Sequence, residues 1–467
     1  MINSKLYVIT DPALAQSVFR NKHLSFEPFM VEFSQRMLGV SDKTMGPIKN
    51  IPADEKAPSF LREFVREIHT AMMGEHLNKM NASALNQVAS TINSLDVIKP
   101  ESLYLWLRQM LTLATCNALL GNHSPFIDNP GLVDELWYTP IFLGSLPTNT
   151  RYRDFDAGII KLLLNVYPAI TASKAYKART AVQSALADYY AAKYDEGPEV
   201  SQIVRGRAAT YRKYDIPATD IGKFEIALLT VSTANAIPTL YWLLCNICSN
   251  PSLTQEIREE IVAIVSETKT ENGKREMSVD ITKFETHCPL LVSCYRETIR
   301  ISNAQLGTRR VMKDTFISDG THSYLLREGC DVQIPSGVAH LSPDYWGSDF
   351  ASFRSRRFLT PPGTGPARTQ KEKDDEKAQK KAYFPFGGGK HLCPGRNFAF
   401  AEILGAAAAL ILGFEVEKSG GGAIVVPDRG RTMFTEAVAK PRGDALKMGA
   451  KISRREGWEG VVWKFVC

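Results

Sequence analysis

The sequence has few of the features that would assign the chain to a special structural class. Its 467 residues contain eight cysteines, and their positions follow no disulfide framework. A reducing compartment is the simpler interpretation of that cysteine usage. The charges lack a strong excess of one sign, since 56 Lys and Arg face 50 Asp and Glu, for a formal net charge of +6. No basic block interleaved with aromatic residues is present, so the sequence predicts no nucleic-acid partner.

The N-terminal residues 1–12 lack the apolar stretch of a signal peptide or a membrane anchor. They begin directly with a short strand pattern, and a short amphipathic helix follows, capped by Asp11 with Pro12 at its first position. An apolar content of 44% with 23% charged residues is ordinary for a globular protein. These features predict a folded chain with an ample core.

One run, residues 226–248, contains no charged side chain and has the length of a membrane span, about 20 residues. Polar residues interrupt its centre, so a long core helix is the better interpretation. Pro238 removes one helical hydrogen bond and predicts a kink that opens a groove. Further helical patterns occur at 103–120, 132–146 and 158–194, without alternating strands or internal repeats. Together they predict a mainly α architecture.

The most informative stretch is residues 383–396, with the sequence YFPFGGGKHLCPGR. Its three consecutive glycines let the backbone turn sharply and approach a planar ligand without Cβ clashes. Cys393 stands just before a predicted helix, with Pro394 in the first helical turn, and the unpaired N–H groups there favour an anion. That position predicts a thiolate, and Phe386 can shield one side of the loop from water. The alternative is a glycine-rich turn that ends in a buried structural cysteine.

Five positions of this stretch follow the pattern F-x-x-G-x-[HR]-x-C-x-G, namely Phe386, Gly389, His391, Cys393 and Gly395. With them the sequence resembles the haem-binding loop of the cytochrome P450 family of haem-thiolate enzymes. The resemblance implies haem b as the cofactor, Cys393 as its axial iron ligand, and His391 as the partner of a haem propionate. A thiolate ligand pushes electron density onto the iron and favours O–O cleavage.

The same resemblance implies a fold. We expect a single domain over residues 1–467, mainly α with small β-sheets. The haem would be buried between the long kinked helix and the loop that carries Cys393.

A second match lies in residues 307–334, where apolar and polar residues alternate and predict a small antiparallel sheet. Arg309 and Arg310 precede Val311 and Asp314, similar to the R-x-V-x-x-D order of the family. The resemblance implies that one arginine, Arg309 rather than Arg310, binds a haem propionate. The alternative is that both arginines belong to a solvated strand edge.

The helical pattern at 283–302 carries Glu297 and Arg300, whose spacing of three places them on one helix face. Taken alone, this spacing means little, because Glu63 and Arg66 repeat it in the same chain. Its weight comes from its position in the chain.

Residues 353–358 follow that helix and resemble the family segment F-x-P-x-R-F, with Ser355 in the proline position. The resemblance implies that Arg357 joins Glu297 and Arg300. Buried charges persist only when they are paired and hydrogen-bonded. We therefore predict that these three residues are structural and lock the haem-binding loop.

The family pattern fails at the centre of the long helix. Where the wider family usually holds [AG]-G-x-[DE]-T, this chain has the residues ANAIP at 234–238, so the acid and the threonine that organise protons are absent. An Asn followed by a Pro resembles the branch that contains sterol 7α- and 12α-hydroxylases and prostacyclin synthase. We take Asn235 and Pro238 as candidate catalytic residues. Asn235 either contacts the substrate or oxygen, or satisfies a carbonyl freed by the kink.

Residues 360–381 form a low-complexity insert with charges of both signs, which is typical of a solvated loop or surface helix. In the family, the reductase docks near this face, where Arg354, Arg356, Lys390 and Arg396 lie in this chain. The balance of signs gives no steering patch, so the sequence favours a plain solvated surface.

The resemblance implies a monooxygenase that hydroxylates or oxidises an apolar small molecule, such as a sterol, a terpenoid or another secondary metabolite of the fungal type. It would use O2 and electrons from an NADPH-cytochrome P450 reductase. Two alternatives stay open: an isomerase that rearranges a peroxide without external electrons, and a haem-binding protein without turnover. We expect the cytosolic face of the endoplasmic reticulum membrane if an anchor precedes this sequence, and otherwise the cytoplasm with peripheral membrane contact.

Overall fold

The computed structural model describes residues 5–50, 57–138, 168–359, 369–430, 432 and 436–467. Helices dominate this part of the chain. They span Pro12–Arg20, Glu27–Leu38, Asp42–Lys49, Phe60–Ala71, Gly74–Asn93, Leu103–Leu120, Pro125–Asp128, Leu132–Tyr138, Pro168–Thr171, Ser173–Ala191, Gln202–Lys213, Ala218–Thr233, Ala236–Cys248, Pro251–Val262, Phe284–His287, Pro289–Ser302, Ser336–His340, Pro343–Trp346, Gln370–Ala382, Arg396–Gly413 and Asp444–Lys447. The predicted mainly α architecture is confirmed.

Twelve short strands accompany these helices in the described residues. They are β1 (Leu6–Val8), β2 (Leu24–Ser25), β3 (Val97–Ile98), β4 (Val265–Lys269), β5 (Arg275–Asp280), β6 (Leu306–Val311), β7 (Thr315–Ser318), β8 (Ser323–Leu326), β9 (Asp331–Pro335), β10 (Phe414–Lys418), β11 (Ala450–Arg454) and β12 (Val462–Val466). Their sheets have the orders β1-β9-β6-β2, β10-β11-β3, β12-β5-β4 and β7-β8. β6 runs antiparallel to β9, with Arg309 opposite Val332 and Arg310 opposite Asp331.

Helix ends follow the local sequence. The Asp11 carboxylate accepts a hydrogen bond from the Leu14 N–H at 2.8 Å, as a capping residue does, and Pro12 opens the helix as predicted. The helix Leu103–Leu120 begins at Ser102, whose hydroxyl oxygen accepts from the Leu105 N–H. It ends at Gly121, whose φ of 73° favours glycine.

The helix predicted over 283–302 is not continuous. The structure has a short helix Phe284–His287 and a longer one, Pro289–Ser302, with Cys288 between them in a non-helical conformation (φ −125°, ψ 53°). Pro289 explains the break, because a proline disfavours the helical conformation of the residue before it. The Glu260 carboxylate accepts hydrogen bonds from the first N–H groups of the new helix, at 2.9–3.0 Å from Leu290 and 3.0 Å from Leu291.

Two stretches are long and apolar enough to cross a membrane, Ala218–Cys248 and Arg396–Gly413. In the fold, 72% and 78% of their most apolar windows are buried inside the protein. This burial supports the interpretation of residues 226–248 as a core helix. The helix Arg396–Gly413 packs so closely that a Cβ on Gly405 would lie 2.5 Å from the Leu85 side chain.

The charged insert is helical in its second part. Thr369 and Glu372 form a capping box at the start of the helix Gln370–Ala382, in which nine of the thirteen residues are exposed. This agrees with the surface helix that was one of the two predicted forms. Residues 360–368 lie outside the described part of the chain.

Candidate functional site

The loop that carries Cys393 is a tight hairpin held by its own backbone. The Cys393 N–H donates to the Phe386 carbonyl at 3.0 Å, and the Leu392 N–H donates to the Gly389 carbonyl at 3.1 Å. Gly389 has a φ of 64°, and a Cβ there would lie only 1.8 Å from the Phe19 carbonyl oxygen. Glycine is therefore required at this position by conformation and by space together.

Cys393 is half-buried at the start of the helix Arg396–Gly413, with Gly395 as its capping residue. Burial raises the pKa of the Cys393 thiol, while hydrogen bonds from the Gly395 and Arg396 N–H groups and the Arg396 charge lower it. Burial is the largest of these effects and leaves the pKa of the thiol raised, whereas the helix N-terminus acts toward the thiolate, in the direction that the sequence predicts. The helix begins at Arg396, so Pro394 lies before the first helical turn, whereas the sequence predicted it within that turn. A metal bound at the sulfur would supply the missing stabilisation of the thiolate.

Beside the loop, Arg309 is a buried cation, with 5% of its surface exposed. Its Nη1 donates a hydrogen bond to the Thr308 carbonyl oxygen at 2.7 Å, and the guanidinium lies 5.9 Å from the Phe19 ring centroid. In the described part of the chain no carboxylate pairs with it, and burial lowers its pKa to about 10. A buried positive charge without a carboxylate partner is unfavourable, and an anionic ligand would stabilise it.

His391 lies beside Arg309, at the border of the same cavity. Burial, together with the charges of Arg309 and Lys390, lowers the pKa of His391 to about 3, and its Nε2 accepts a hydrogen bond from the Phe26 N–H at 3.3 Å. Arg309 and His391 border one cavity of about 160 Å³. The neighbouring Arg310 points to the other face of β6, where it pairs with Asp331 and Glu32 at 2.8 and 2.9 Å.

This donor set fits a haem. A thiol on a glycine loop offers a soft ligand to iron, and an unpaired buried arginine beside a histidine offers partners for carboxylate groups such as haem propionates.

The structure brings Glu297, Arg300 and Arg357 together in the core. The Glu297 carboxylate accepts from the Arg300 Nε and Nη2 at 2.7 and 2.9 Å, and from the Arg357 Nε at 2.9 Å. Glu297 and Arg300 are both fully buried. Glu63, which repeats the sequence spacing, pairs with Lys213 and Tyr214 at 2.6 and 3.2 Å, and no hydrogen bond joins it to Arg66 in the described residues.

This cluster connects to the Cys393 loop through contacts of His340 and Asn303 that the sequence alone did not indicate. The Arg300 Nη1 donates to the His340 carbonyl at 2.6 Å, and the His340 Nε2 accepts from the Phe384 N–H at 3.1 Å. The Asn303 side chain donates to the Pro385 carbonyl at 3.1 Å. The cluster therefore holds the beginning of the loop in place.

The long helix consists of two parts, Ala218–Thr233 and Ala236–Cys248, separated by a turn at Ala234 and Asn235. Pro238 has no N–H to donate four residues back, so the break lies one turn before it. The Asn235 carbonyl accepts from both the N–H and the hydroxyl of Thr239, at 3.2 and 2.7 Å. The half-buried Asn235 side chain makes no hydrogen bond in the described residues, so it does not satisfy the freed carbonyl.

The surface arginines near the insert are engaged in ion pairs. Arg354 pairs with Asp349 at 2.7 Å, and Arg356 pairs with Glu256. The Arg396 Nη1 donates to the Cys393 carbonyl at 3.0 Å. These pairings favour a plain solvated surface.

The chain is similar to known proteins over its whole length. The cytochrome P450 family model matches residues 214–446. A cytochrome P450 monooxygenase from Gibberella zeae is 34% identical over all of this chain and 83% of its own length, and the monooxygenase nodJ from Hypoxylon pulicicidum is 26% identical over 99% and 83%.

A more distant match points to the sterol branch that the sequence suggested. The 5-beta-cholestane-3-alpha,7-alpha-diol 12-alpha-hydroxylase of Sus scrofa is 30% identical over 42% of this chain and 38% of its own length. The solved structure of retinoic acid bound cyanobacterial CYP120A1 covers 97% of this chain and 90% of its own, with a TM-score of 0.62 at 15% identity, so it supports the fold alone. The chain belongs to the cytochrome P450 family and is an oxidoreductase of its monooxygenase class.

Proposed function

We propose that the protein binds haem b through Cys393 and hydroxylates or oxidises an apolar small molecule. The observation that carries the proposal is the buried, unpaired Arg309 beside His391, next to the glycine loop of Cys393. Family membership implies a haem cofactor, and this donor set matches the iron and the propionates of haem b. A haem with a thiolate ligand supplies the activation of O2 for such a reaction.

The chain's own residues position and protect the reaction. Gly389 lets the loop lie against Phe19. Phe386 packs against the core, and we propose that it shields one side of the loop from water. Arg309 and His391 bind the anionic edge of the cofactor, and the Glu297 cluster keeps the loop in place. We propose that the turn at Ala234 and Asn235, with its freed carbonyl, borders the substrate and gives room for oxygen.

We propose a sterol, a terpenoid or a related secondary metabolite as the substrate. The name of the porcine 5-beta-cholestane-3-alpha,7-alpha-diol 12-alpha-hydroxylase supports a sterol, and the fungal relatives support a monooxygenase. Electrons would come from an NADPH-cytochrome P450 reductase. We place the protein on the cytosolic face of the endoplasmic reticulum membrane if an anchor precedes this sequence, and otherwise in the cytoplasm with peripheral membrane contact.

The second candidate is the isomerase that rearranges a peroxide without external electrons. The chain favours it at one point, since residues 234–238 hold neither the acid nor the threonine of the wider family. A non-catalytic haem protein is not favoured by the monooxygenase relatives.

The first experiment is the carbon monoxide difference spectrum of the reduced protein. We expect a Soret band at the long-wavelength position of thiolate ligation, lost in Cys393→Ala and kept in Cys467→Ala, a change at another half-buried cysteine. A short-wavelength band or no bound haem would contradict the proposal. Product formed from a sterol or terpenoid only with NADPH and reductase then supports the monooxygenase, whereas turnover of a lipid peroxide without them supports the isomerase.

A further inference from the structure

A second cavity lies apart from the haem site. Its volume is about 390 Å³, and it is bordered by Trp242 and Asn246 from the second part of the long helix and by Ile301 from the end of the Glu297 helix. Phe353 and the segment 426–429 complete its walls. It shares no lining residue with the cavity beside Arg309 and His391. A cleft of this size takes a small organic molecule.

Arg429 brings a positive charge into the cleft. Its Nη2 donates to the Ala351 carbonyl at 3.1 Å, and no carboxylate in the described ranges pairs with its guanidinium. Burial and the neighbouring Arg300 lower the pKa of Arg429, and the charges of Glu297 and Asp428 offset only part of this decrease. The adjacent Asp428 is exposed and accepts a hydrogen bond from the Gly430 N–H at 3.1 Å.

Apart from residues 426–429, the lining is apolar except for Asn246 and Ser302. Trp242 is 1% exposed, and its indole N–H donates to the Ala439 carbonyl at 2.6 Å, which fixes the ring. Asn246 is 7% exposed, and in the described residues its side chain makes one long hydrogen bond, 3.5 Å to the Thr298 hydroxyl. A side-chain amide has two donors and two acceptor sites, so most of its capacity is left for a ligand.

We propose that this cleft binds a second small molecule, an amphipathic carboxylate, with its anionic group on Arg429. Its apolar body packs between Trp242, Phe353 and Ile301, and a polar group of the ligand reaches Asn246. An arginine suits a carboxylate because its planar fork donates two parallel hydrogen bonds. The cleft shares no lining residue with the cavity beside Arg309 and His391, so a probe bound here does not occupy the proposed haem site.

The test uses 1-naphthoate and decanoate as carboxylate probes and 1-naphthamide as the neutral counterpart of the first. Binding to the purified protein is measured by calorimetry, and the Soret band is recorded in the same titration. We expect at least one carboxylate to saturate a site without moving the Soret band. We expect 1-naphthamide to bind at least about tenfold more weakly than 1-naphthoate, because it lacks the charge.

Arg429→Gln is expected to weaken carboxylate binding about tenfold or more. The matched control is Arg327→Gln, at an exposed arginine that pairs with Asp314, and it should bind as the wild type does. Val426→Trp fills the cleft from its rim and should weaken both probe types, with circular dichroism as the check that each variant folds.

The proposal fails if neither carboxylate binds below about 1 mM, or if Arg429→Gln binds as tightly as the wild type. It also fails if binding always moves the Soret band, because the probe then occupies the haem pocket. Calorimetry reads the cleft even in a preparation without haem, so failure of the proposed reaction and failure of this site give different results.

Discussion

Two buried arginine sites lie within ten residues of each other in the sequence, and they differ in what satisfies their charge. Arg300 is fully buried and takes two hydrogen bonds to Glu297 and one to the His340 carbonyl. Arg309 is 5% exposed and hydrogen-bonds only its neighbour's carbonyl among the described groups. A buried arginine that is paired with a carboxylate stabilises the fold, whereas a buried arginine without a carboxylate partner is available to an anionic ligand.

We expect the largest effect on stability from a substitution of Glu297, the carboxylate that pairs with Arg300. Glu297→Gln leaves the fully buried Arg300 without a carboxylate, while Arg357 keeps Asp349 at 3.0 Å. We therefore expect a loss of about 3–5 kcal/mol in the free energy of unfolding and poor haem retention. Thermal unfolding and the carbon monoxide spectrum measure both.

Glu63→Gln is the control, since Glu63 repeats the spacing but pairs with Lys213, whose side chain is 61% exposed. We expect it to cost less than about 1 kcal/mol. Equal losses in the two variants would contradict the structural role of the Glu297 cluster.

A buried carboxyl without any cation gives the opposite case. Glu402 is 1% exposed, accepts a hydrogen bond from the Thr115 hydroxyl, and has its pKa raised by burial from 4.5 to about 8. The folded protein therefore keeps this proton up to about pH 8, while the unfolded chain loses it near 4.5. Stability from this group is fully present below pH 4.5 and is lost as the pH rises toward 8.

Glu402→Gln removes that dependence. We expect the stability of the variant relative to the wild type to rise by roughly 1.4 kcal/mol per pH unit between pH 5 and 8, or about 3 kcal/mol over two units. Denaturant unfolding at several pH values measures the slope, and Glu456→Gln, at an exposed carboxylate, serves as the control. A constant difference across this range would mean that Glu402 ionises normally in the folded protein.

A substitution of Arg309 should act mainly through the binding of haem. Arg309→Gln removes a charged donor that we assign to a propionate, so haem affinity should fall by ten- to a hundredfold, about 1.5–3 kcal/mol. The rate of haem transfer to an excess of apomyoglobin measures it. Without haem, the variant should be at least as stable as the wild type, because a buried unpaired charge is gone.

Arg310→Gln is the neighbouring control, because Arg310 pairs with Asp331 and Glu32 on the exposed face of the same strand. It should leave haem transfer within about twofold. If both variants lost haem equally, Arg309 would have no special role.

The difference between these two arginines shows how far the sequence leads. Alternation along β6 puts Arg309 and Arg310 on opposite faces, and the family pattern favoured Arg309, but neither reveals which one lacks a partner. The short spacing around Cys393 identified the loop, because that signal is local. The contacts of His340 with Phe384 and of Asn303 with Pro385 join residues 44 and 82 positions apart, so only the folded chain reveals them.

The smallest expected effects on stability lie at the kink, where the Thr239 hydroxyl is hydrogen-bonded and the Asn235 side chain is not. Thr239→Val removes the hydroxyl that donates to the Asn235 carbonyl at 2.7 Å, so we expect a loss of about 1 kcal/mol in unfolding free energy. Asn235→Ala should cost less than about 0.5 kcal/mol, because its side chain makes no described hydrogen bond.

We expect the opposite order for the effects on catalysis, with Asn235→Ala the more harmful change. If Asn235 faces the substrate or oxygen, Asn235→Ala lowers the fraction of NADPH consumption that ends in product, whereas Thr239→Val leaves the fraction nearly unchanged. The ratio of product to NADPH, measured with reductase for both variants, decides between them. A stability loss in Asn235→Ala without a change in this ratio would make Asn235 a structural residue of the kink, and the reaction would then depend on groups other than this side chain.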